Sequence, residues 1–541
     1  MEEQDETERR AIEKAMAFFR LGELNQARAV ARETLDKGIE APFLLKVEAL
    51  WLQQEGRLQE SLRAYHHART LDVHDPAILY GIASVLSEMG EYEKALQIVE
   101  EVLKANPAAA SIHYLKGRIL DKRYQYKLAL LSYEKAEQLA PKSAAVLAAM
   151  AANCFSLGNL ERASKLSDKA LILQADEPTA NITLSRISLE HGLINDAEGR
   201  LSWLLSKNIN QNVNSLCYGF LGDVYDAQDE TKKAFQAYKK SNDLKLQLRH
   251  DIAIKAASVK DRIGKLDHIL NSSKFSINRK SNDEIKNPVF LIGFMRSGTT
   301  LIEQTLASHP NVVTLEERNL LNDFANDYLS SGSAFSKLQS LGEQKISSMR
   351  EAYWSSARKF KEIEAGKIFI DKNPLNTLML PLIRHIFPTA KIIFAIRDPR
   401  DVILSCFRRQ LAIDQFTFNF LSLINASQFY NYTMSIGVRC LEKSDSQAFL
   451  IRYEDLVDHF SDSIMSICNY LNLEWTETLL DFHNKVTDRD IASFSATQLR
   501  AGLNKKTIGR WKDYSDDLSP VFNILAPWVK HWGYSDSSDA Q

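Results

Sequence analysis

The strongest constraint on this chain is a period. Gly22, Gly56, Gly90, Tyr124, Gly158 and Gly192 stand 34 residues apart, and five positions beyond each comes a small residue: Ala27, Ser61, Ala95, Ala129, Ala163 and Ala197. Later in the unit come Tyr65 and Tyr133, then Ala68, Ala136 and Ala170, with Pro107 and Pro141 at the unit boundary. A seventh copy, slightly out of phase, runs through Asp229, Ala234 and Tyr238. A unit of this length cannot bury its apolar face alone, so neighbouring copies must stack. The glycine permits a tight turn between two helices. The small residues let paired helices approach, and the aromatic fills the gap between neighbouring pairs.

Period and residue types together resemble the tetratricopeptide repeat over roughly residues 8–245. Such arrays stack into an all-α solenoid with a concave face, commonly a surface for a peptide or protein. Two readings stay open: partner or substrate binding, and a purely architectural array that drives oligomerisation. After Leu248 the strict period stops, and residues 249–272 read as a helix that caps the solenoid. Ser273–Asn287 is polar and reads as a linker. The expected division is a solenoid over 1–248, a capping helix and linker over 249–286, and a second domain over 287–541.

Bulk properties narrow the function classes. A chain of 541 residues is too long for one hydrophobic core. The formal net charge of -2 excludes a broad electrostatic attraction to nucleic acid or anionic membrane, so any anion site must be local. Five scattered cysteines, never spaced as CxxC, fit neither a disulfide framework nor a zinc site. They read instead as small buried side chains in a reducing compartment. No apolar run approaches the ~18 residues of a membrane span. Met1–Arg10 is crowded with Glu and Asp, unlike a secretory leader. A cytoplasmic location is the expectation.

The chemistry is concentrated in the second half. Pro288–Ile292 is a short apolar run, Gly293–Thr300 reads GFMRSGTT, and an apolar periodic stretch follows to His309. Strand, glycine loop and helix in that order aim backbone N–H groups and a helix N-terminus at an anion. The skeleton is that of a nucleotide-triphosphate loop, but Thr299 stands where that motif needs Lys, and Arg296 supplies the basic residue instead. About 100 residues on, Lys391–Ile396 reads as a buried strand, followed by Arg397-Asp-Pro-Arg-Asp401 and Ser405 on a helix. Arg397 and Ser405 have the donors to converge on one phosphate. A third strand-like run, Gln447–Leu456, contains Arg-Tyr-Glu-Asp-Leu and reads as structural.

These motifs resemble those of sulfotransferases. The resemblance implies a P-loop-like α/β domain with a parallel sheet, and PAPS (3′-phosphoadenosine 5′-phosphosulfate) as donor. It assigns Arg296, Ser297, Gly298, Thr299 and Thr300 to the 5′-phosphosulfate, and Arg397 and Ser405 to the 3′-phosphate. Ser495 and Arg510 fall in stretches similar to a C-terminal segment that closes over the nucleotide. No metal ligand cluster is evident and none is needed.

Ser308-His-Pro…Glu316-Glu317-Arg318 is similar to protein-tyrosine sulfotransferases, in which a Glu is the general base. Glu317 matches that Glu, Glu316 is the fallback, and His309 is the alternative if both fail. Asn319 stands where the animal enzymes carry an Arg. Lys372, in Phe369-Ile-Asp-Lys-Asn-Pro374, matches the family's lysine, which with Arg296 would neutralise charge on the leaving group. The implied acceptor is a tyrosine in a polypeptide held by the repeats. A carbohydrate or small-molecule hydroxyl, or a scaffold with a degenerate nucleotide-binding domain, are the alternatives.

Overall fold

The computed structural model describes residues 2–271, 287–321, 324, 340–444, 448–480 and 505–535. The chain forms two compact units, Met1–Lys255 with Ala412–Phe418, and Ala256–Leu411 with Asn419–Gln541.

The first unit is a solenoid of paired antiparallel helices, from Glu2–Arg20 to Thr231–Leu248. Every periodic turn position has left-handed backbone, with φ between 73° and 83° at Gly22, Gly56, Gly90, Gly158 and Gly192. Tyr124 and Asp229, the two non-glycine occupants, adopt the same conformation at φ 59°. The turn geometry is therefore imposed by helix pairing, and glycine makes it cheap. Ala27, Ser61, Ala95, Ala129, Ala163 and Ala197 are all fully buried. The repeat tyrosines replace missing side chains: Tyr65 packs on Gly81 of the next pair, whereas Tyr133 and Tyr238 pack on Gly117 and Gly222 of their own partner helices.

Leu248 and Arg249 return to the second and third repeats. The Leu248 carbonyl abuts Gly56, and Arg249 lies 3.8 Å from Glu88. The two units divide within the helix His250–Asn271, between Lys255 and Ala256. Its later part is fastened to the helix Leu423–Glu442 of the second unit. Lys260 Nζ donates to Asn425 and Gln428 at 2.9 Å each, and Lys443 Nζ donates to the Leu270 carbonyl at 2.9 Å.

The second unit is built on five parallel strands: β1 (Val289–Gly293), β2 (Val312–Glu316), β3 (Ile368–Lys372), β4 (Ile392–Ile396) and β5 (Ala448–Arg452). Their order across the sheet is β2-β3-β1-β4-β5. The central strands β1 and β4 are buried at every residue, as near-continuous apolar runs covered on both faces should be. After β1 the chain crosses to one side for β2 and β3, then to the other for β4 and β5. The edge beyond the carboxyl ends of β1, β3 and β4 is thus the switch point where α/β sheets bind ligands. Among the described residues, no helix is long and apolar enough to cross a membrane, and all five cysteines are buried free thiols.

Candidate active site

The loop after β1 is made by three unusual backbone positions. Gly293 (φ 155°), Arg296 (φ 70°) and Gly298 (φ 92°) bend the strand into the helix Thr299–Leu306. A side chain at Gly293 would strike the Ala395 carbonyl of β4, so glycine is required for the sheet to close there. Thr377 clamps the same point, donating to the Gly293 carbonyl at 2.6 Å and accepting from its N–H at 3.0 Å. No side chain caps the helix start at Gly298, which leaves its first amides for an anion. Ser297, Thr299 and Thr300 line this bend, all buried.

Arg296, Ser405 and Arg397 meet here. Arg296 Nε donates to Ser405 Oγ at 3.0 Å, and Arg397 Nη1 donates to the Arg296 carbonyl at 3.3 Å. The expected convergence of Arg397 and Ser405 therefore occurs around Arg296. Arg397 also donates to the Thr507 carbonyl, lies 3.8 Å from Asp401, and stacks 4.7 Å from the Tyr453 ring. Its Nε is buried without a hydrogen-bond partner. Burial, reinforced by Arg409 and Arg397, lowers the Arg296 pKa to about 10. Burial and the neighbouring guanidiniums thus disfavour the charge on Arg296, and an anion beside it would favour that charge.

Several neighbours of this cluster were not singled out by the sequence. The helix after β4 begins at Pro399, with Asp398 capping it by accepting from the Arg400 N–H at 2.9 Å. Asp401 lies in its first turn and accepts the backbone N–H groups of Gly509 and Trp511 at 2.7 and 2.8 Å. Burial raises its pKa to about 6, opposed by Arg397. The Arg-Tyr-Glu-Asp segment, expected to be structural, borders the site: Tyr453 packs on Gly298, and Glu454 accepts the Asp398 N–H at 3.1 Å. Arg510 Nη1 donates to Asp513 at 2.7 Å. Ser495 lies outside the described residues.

The second cluster sits at the ends of β2 and β3. Lys372 is fully buried, with Nζ 2.8 Å from Glu317 Oε1 and 3.0 Å from Glu316 Oε1. Successive strand side chains point to opposite faces. Glu317 escapes that rule because its backbone is left-handed (φ 45°), its N–H held by the Lys372 carbonyl at 2.7 Å. The kink turns both carboxylates onto one ammonium. Burial opposes the charge on Lys372, but Glu316, Glu317 and Glu303 outweigh it and raise its pKa. Glu317 is 36% exposed and Glu316 only 9%, so Glu317 is the carboxylate an acceptor can reach.

Glu303 was missed. It is the one charged residue of the fully buried helix Thr299–Leu306, and a lone acid among the apolar residues Leu301, Ile302 and Leu306 was the available signal. Both ring nitrogens of His309 are engaged away from this cluster: Nδ1 accepts the Asn311 N–H at 3.0 Å, and Nε2 binds the Glu474 carbonyl at 2.8 Å. Asn319 accepts from Asn373 at 3.2 Å, tying the β2 and β3 ends together.

Residues 288–477 match the sulfotransferase family. Residues 52–119 match the tetratricopeptide repeat. An uncharacterized protein of Aquifex aeolicus is 23% identical over 427 residues, covering 77% of this chain and 55% of the relative, so the chain spans little more than half of that protein. A putative protein-tyrosine sulfotransferase of Caenorhabditis briggsae is 26% identical over 256 residues, 46% of this chain and 90% of that one. A solved tetratricopeptide repeat protein from Parabacteroides merdae is 20% identical with a TM-score of 0.36, covering 45% of this chain and 98% of that one. The sulfotransferase match begins just before β1 and ends beyond β5, so it takes in both clusters of the site.

Proposed function

We propose that the C-terminal unit transfers a sulfonate from PAPS to a hydroxyl, most naturally a tyrosine of a polypeptide that the repeats recruit. The observation that carries this reading is the pairing of two clusters on one sheet edge: an arginine-lined pocket, and a Glu317–Lys372 pair. The first suits a phosphosulfate donor with a second phosphate. The second suits proton removal from a hydroxyl beside a cation that steadies a leaving oxygen.

When bound, the donor supplies an electrophilic sulfur. The amides at Gly298–Thr300 and the Arg296 guanidinium would hold its phosphosulfate end. Arg397, with its buried, partnerless Nε, and Ser405 would hold the 3′-phosphate. Glu317 takes the acceptor proton, and Lys372 carries the charge that builds opposite it. The repeats supply remote binding energy for a chain-like acceptor.

Calorimetry of the full chain with PAP, the desulfonated donor, tests the pocket. Binding is expected without Mg²⁺, and Arg397→Ala should cost about 2–4 kcal/mol of affinity, the scale for removing a charged phosphate contact. Equal affinity in both proteins would refute the assignment, and strict metal dependence would favour a nucleoside triphosphate. Labelled PAPS offered with peptide, glycan and phenol panels tests the acceptor: label on peptide tyrosine is expected, and label confined to glycan or small phenols would replace that class.

A further inference from the structure

Glu303 is the buried charged residue beside the site for which that reading has no role. It projects from the helix Thr299–Leu306, is 2% exposed, and places Oε2 3.9 Å from Lys372 Nζ, beyond hydrogen-bonding distance. Lys372 gives two of its three N–H groups to Glu316 and Glu317. Glu303 accepts from Gln304 Nε2 at 3.3 Å. The arrangement is a fully buried lysine with two carboxylates within hydrogen-bonding distance and a third, buried one just beyond it, and only Glu317 reaches water.

We propose that Glu303 is a positioning residue whose protonation state decides whether Lys372 leans toward Glu317 and the reacting groups or is drawn back into the protein. This rests on the sulfotransferase reading for its catalytic consequence, and on the geometry alone for the movement of Lys372.

The charge count drives it. With all three carboxylates ionised, one ammonium faces three negative charges, of which only that of Glu317 is screened by solvent. The group that yields is the most buried one. Burial first, then Glu316, pushes Glu303 up to about 8, against the pull of Lys372 and a hydrogen bond from Thr314. The elements packed on its helix present Glu316 and Glu317 at the end of β2 and Lys372 on β3, while β1 (Val289–Gly293) presents no titratable group. Asp371, next to Lys372, is engaged by Tyr353 at 2.9 Å and Asn376 at 3.4 Å. Near neutrality Glu303 therefore holds a proton and exerts little pull. Above pH 8 it becomes a third anion behind Lys372, the 3.9 Å gap closes, and the lysine leaves Glu317.

The first test needs no turnover. With lysine selectively ¹³C-labelled at Cε in the full chain, the Lys372 signal, assigned by its loss in Lys372→Arg, should titrate with a midpoint near 8 in the parent protein. It should stay flat across that range in Glu303→Gln, which keeps the shape of the protonated acid. A flat signal in the parent, or an unchanged midpoint in the variant, overturns the proposal. The second test is the pH profile of sulfonate transfer. The parent kcat should fall about tenfold per pH unit above the midpoint, as for one ionisation, with little change in the donor KM. Glu303→Gln should lack that alkaline limb; a limb that persists in the variant overturns the positioning role. If the parent transfers no sulfonate at any pH, the functional reading fails while the Lys372 titration still judges this one.

Discussion

The two units bury polar groups for different ends. In the repeats, hydroxyls inside the structure donate to carbonyls of the packed helices: Ser61 to Ala49 at 2.7 Å, Ser185 to Ala197 at 2.9 Å, Ser241 to Ser215 at 2.7 Å. Among the described residues only Glu48, Glu177 and Lys245 are buried charges there. The C-terminal unit buries Glu303, Asp371, Lys372, Arg384, Arg397, Asp398, Arg400 and Asp401, most of them at or beside the carboxyl ends of strands. Desolvating a charge costs several kcal/mol even when it is paired, roughly the scale of a large core side chain. A fold that concentrates such groups on one edge has built a site there. The repeats, whose few buried charges are scattered along the array, have built a frame.

The sharpest way to break this contrast is at Glu317. Glu317→Ala should lower transfer by about 10²–10⁴-fold, the usual loss for a general base, with PAPS binding kept. If Glu316→Ala is the inactive variant and Glu317→Ala turns over normally, the base is one residue away. The corresponding blow to the frame is Tyr133→Ala. Tyr133 fills the space against Gly117 and donates to Asp121 at 2.6 Å. Truncation should cost roughly 3–5 kcal/mol, as for other buried aromatics, and leave Asp121 with one donor fewer. Hydrogen exchange should show the loss in the helices Ala110–Lys122 and Tyr126–Leu139. Protection unchanged in both helices would show that Tyr133 is not holding the pair.

Acid titration reports on one buried carboxyl of the second unit. Asp371 is pushed up to about 7 by burial, against the hydrogen bond from Tyr353. An acid raised on folding holds its proton longer in the native state, so its contribution to stability falls as pH rises from about 4 to about 7. The slope approaches roughly 1.4 kcal/mol per pH unit within that window. Asp371→Asn, which keeps an acceptor for Tyr353, should flatten the curve of melting temperature against pH. A curve identical to the parent's would show that Asp371 is already ionised in the fold.

The frame was legible because a repeat states its solution many times over: one phase of 34 located six turns and the buried small residue five positions after each. The glycine loop, the strands and the Arg397–Ser405 region were legible because local backbone chemistry fixes them. Contacts made by folding over distance were not. Nothing in the spacing says that Arg296 joins Ser405, 109 residues away, or that Asp401 holds Gly509, 108 away. Nor does the motif around Arg510 say that its guanidinium pairs with Asp513, three positions along. Glu303 was hidden by the motif itself, since a helix following a phosphate loop draws attention to its first turn and not to its second.

The smallest predicted effect compares one residue type in the two units. Gly90, in a repeat turn, has φ 83° and nothing within 4 Å of where a Cβ would stand. Gly90→Ala therefore meets backbone strain alone and should cost about 1 kcal/mol, the ordinary penalty for a left-handed alanine. Tyr124 already tolerates that conformation in its own repeat, at φ 59°. Gly298 has a similar φ of 92°, but there a Cβ would stand 2.5 Å from Tyr453 Cδ2. Gly298→Ala must therefore displace Tyr453, which also stacks on Arg397, so the loop's grip on PAP should weaken beyond what strain alone explains. Equal stability losses from the two variants, with PAP affinity untouched by the second, would mean that Tyr453 yields freely and is no wall of the pocket. A larger loss of affinity than of stability at Gly298 would show that its ring and the Arg397 guanidinium hold their places together.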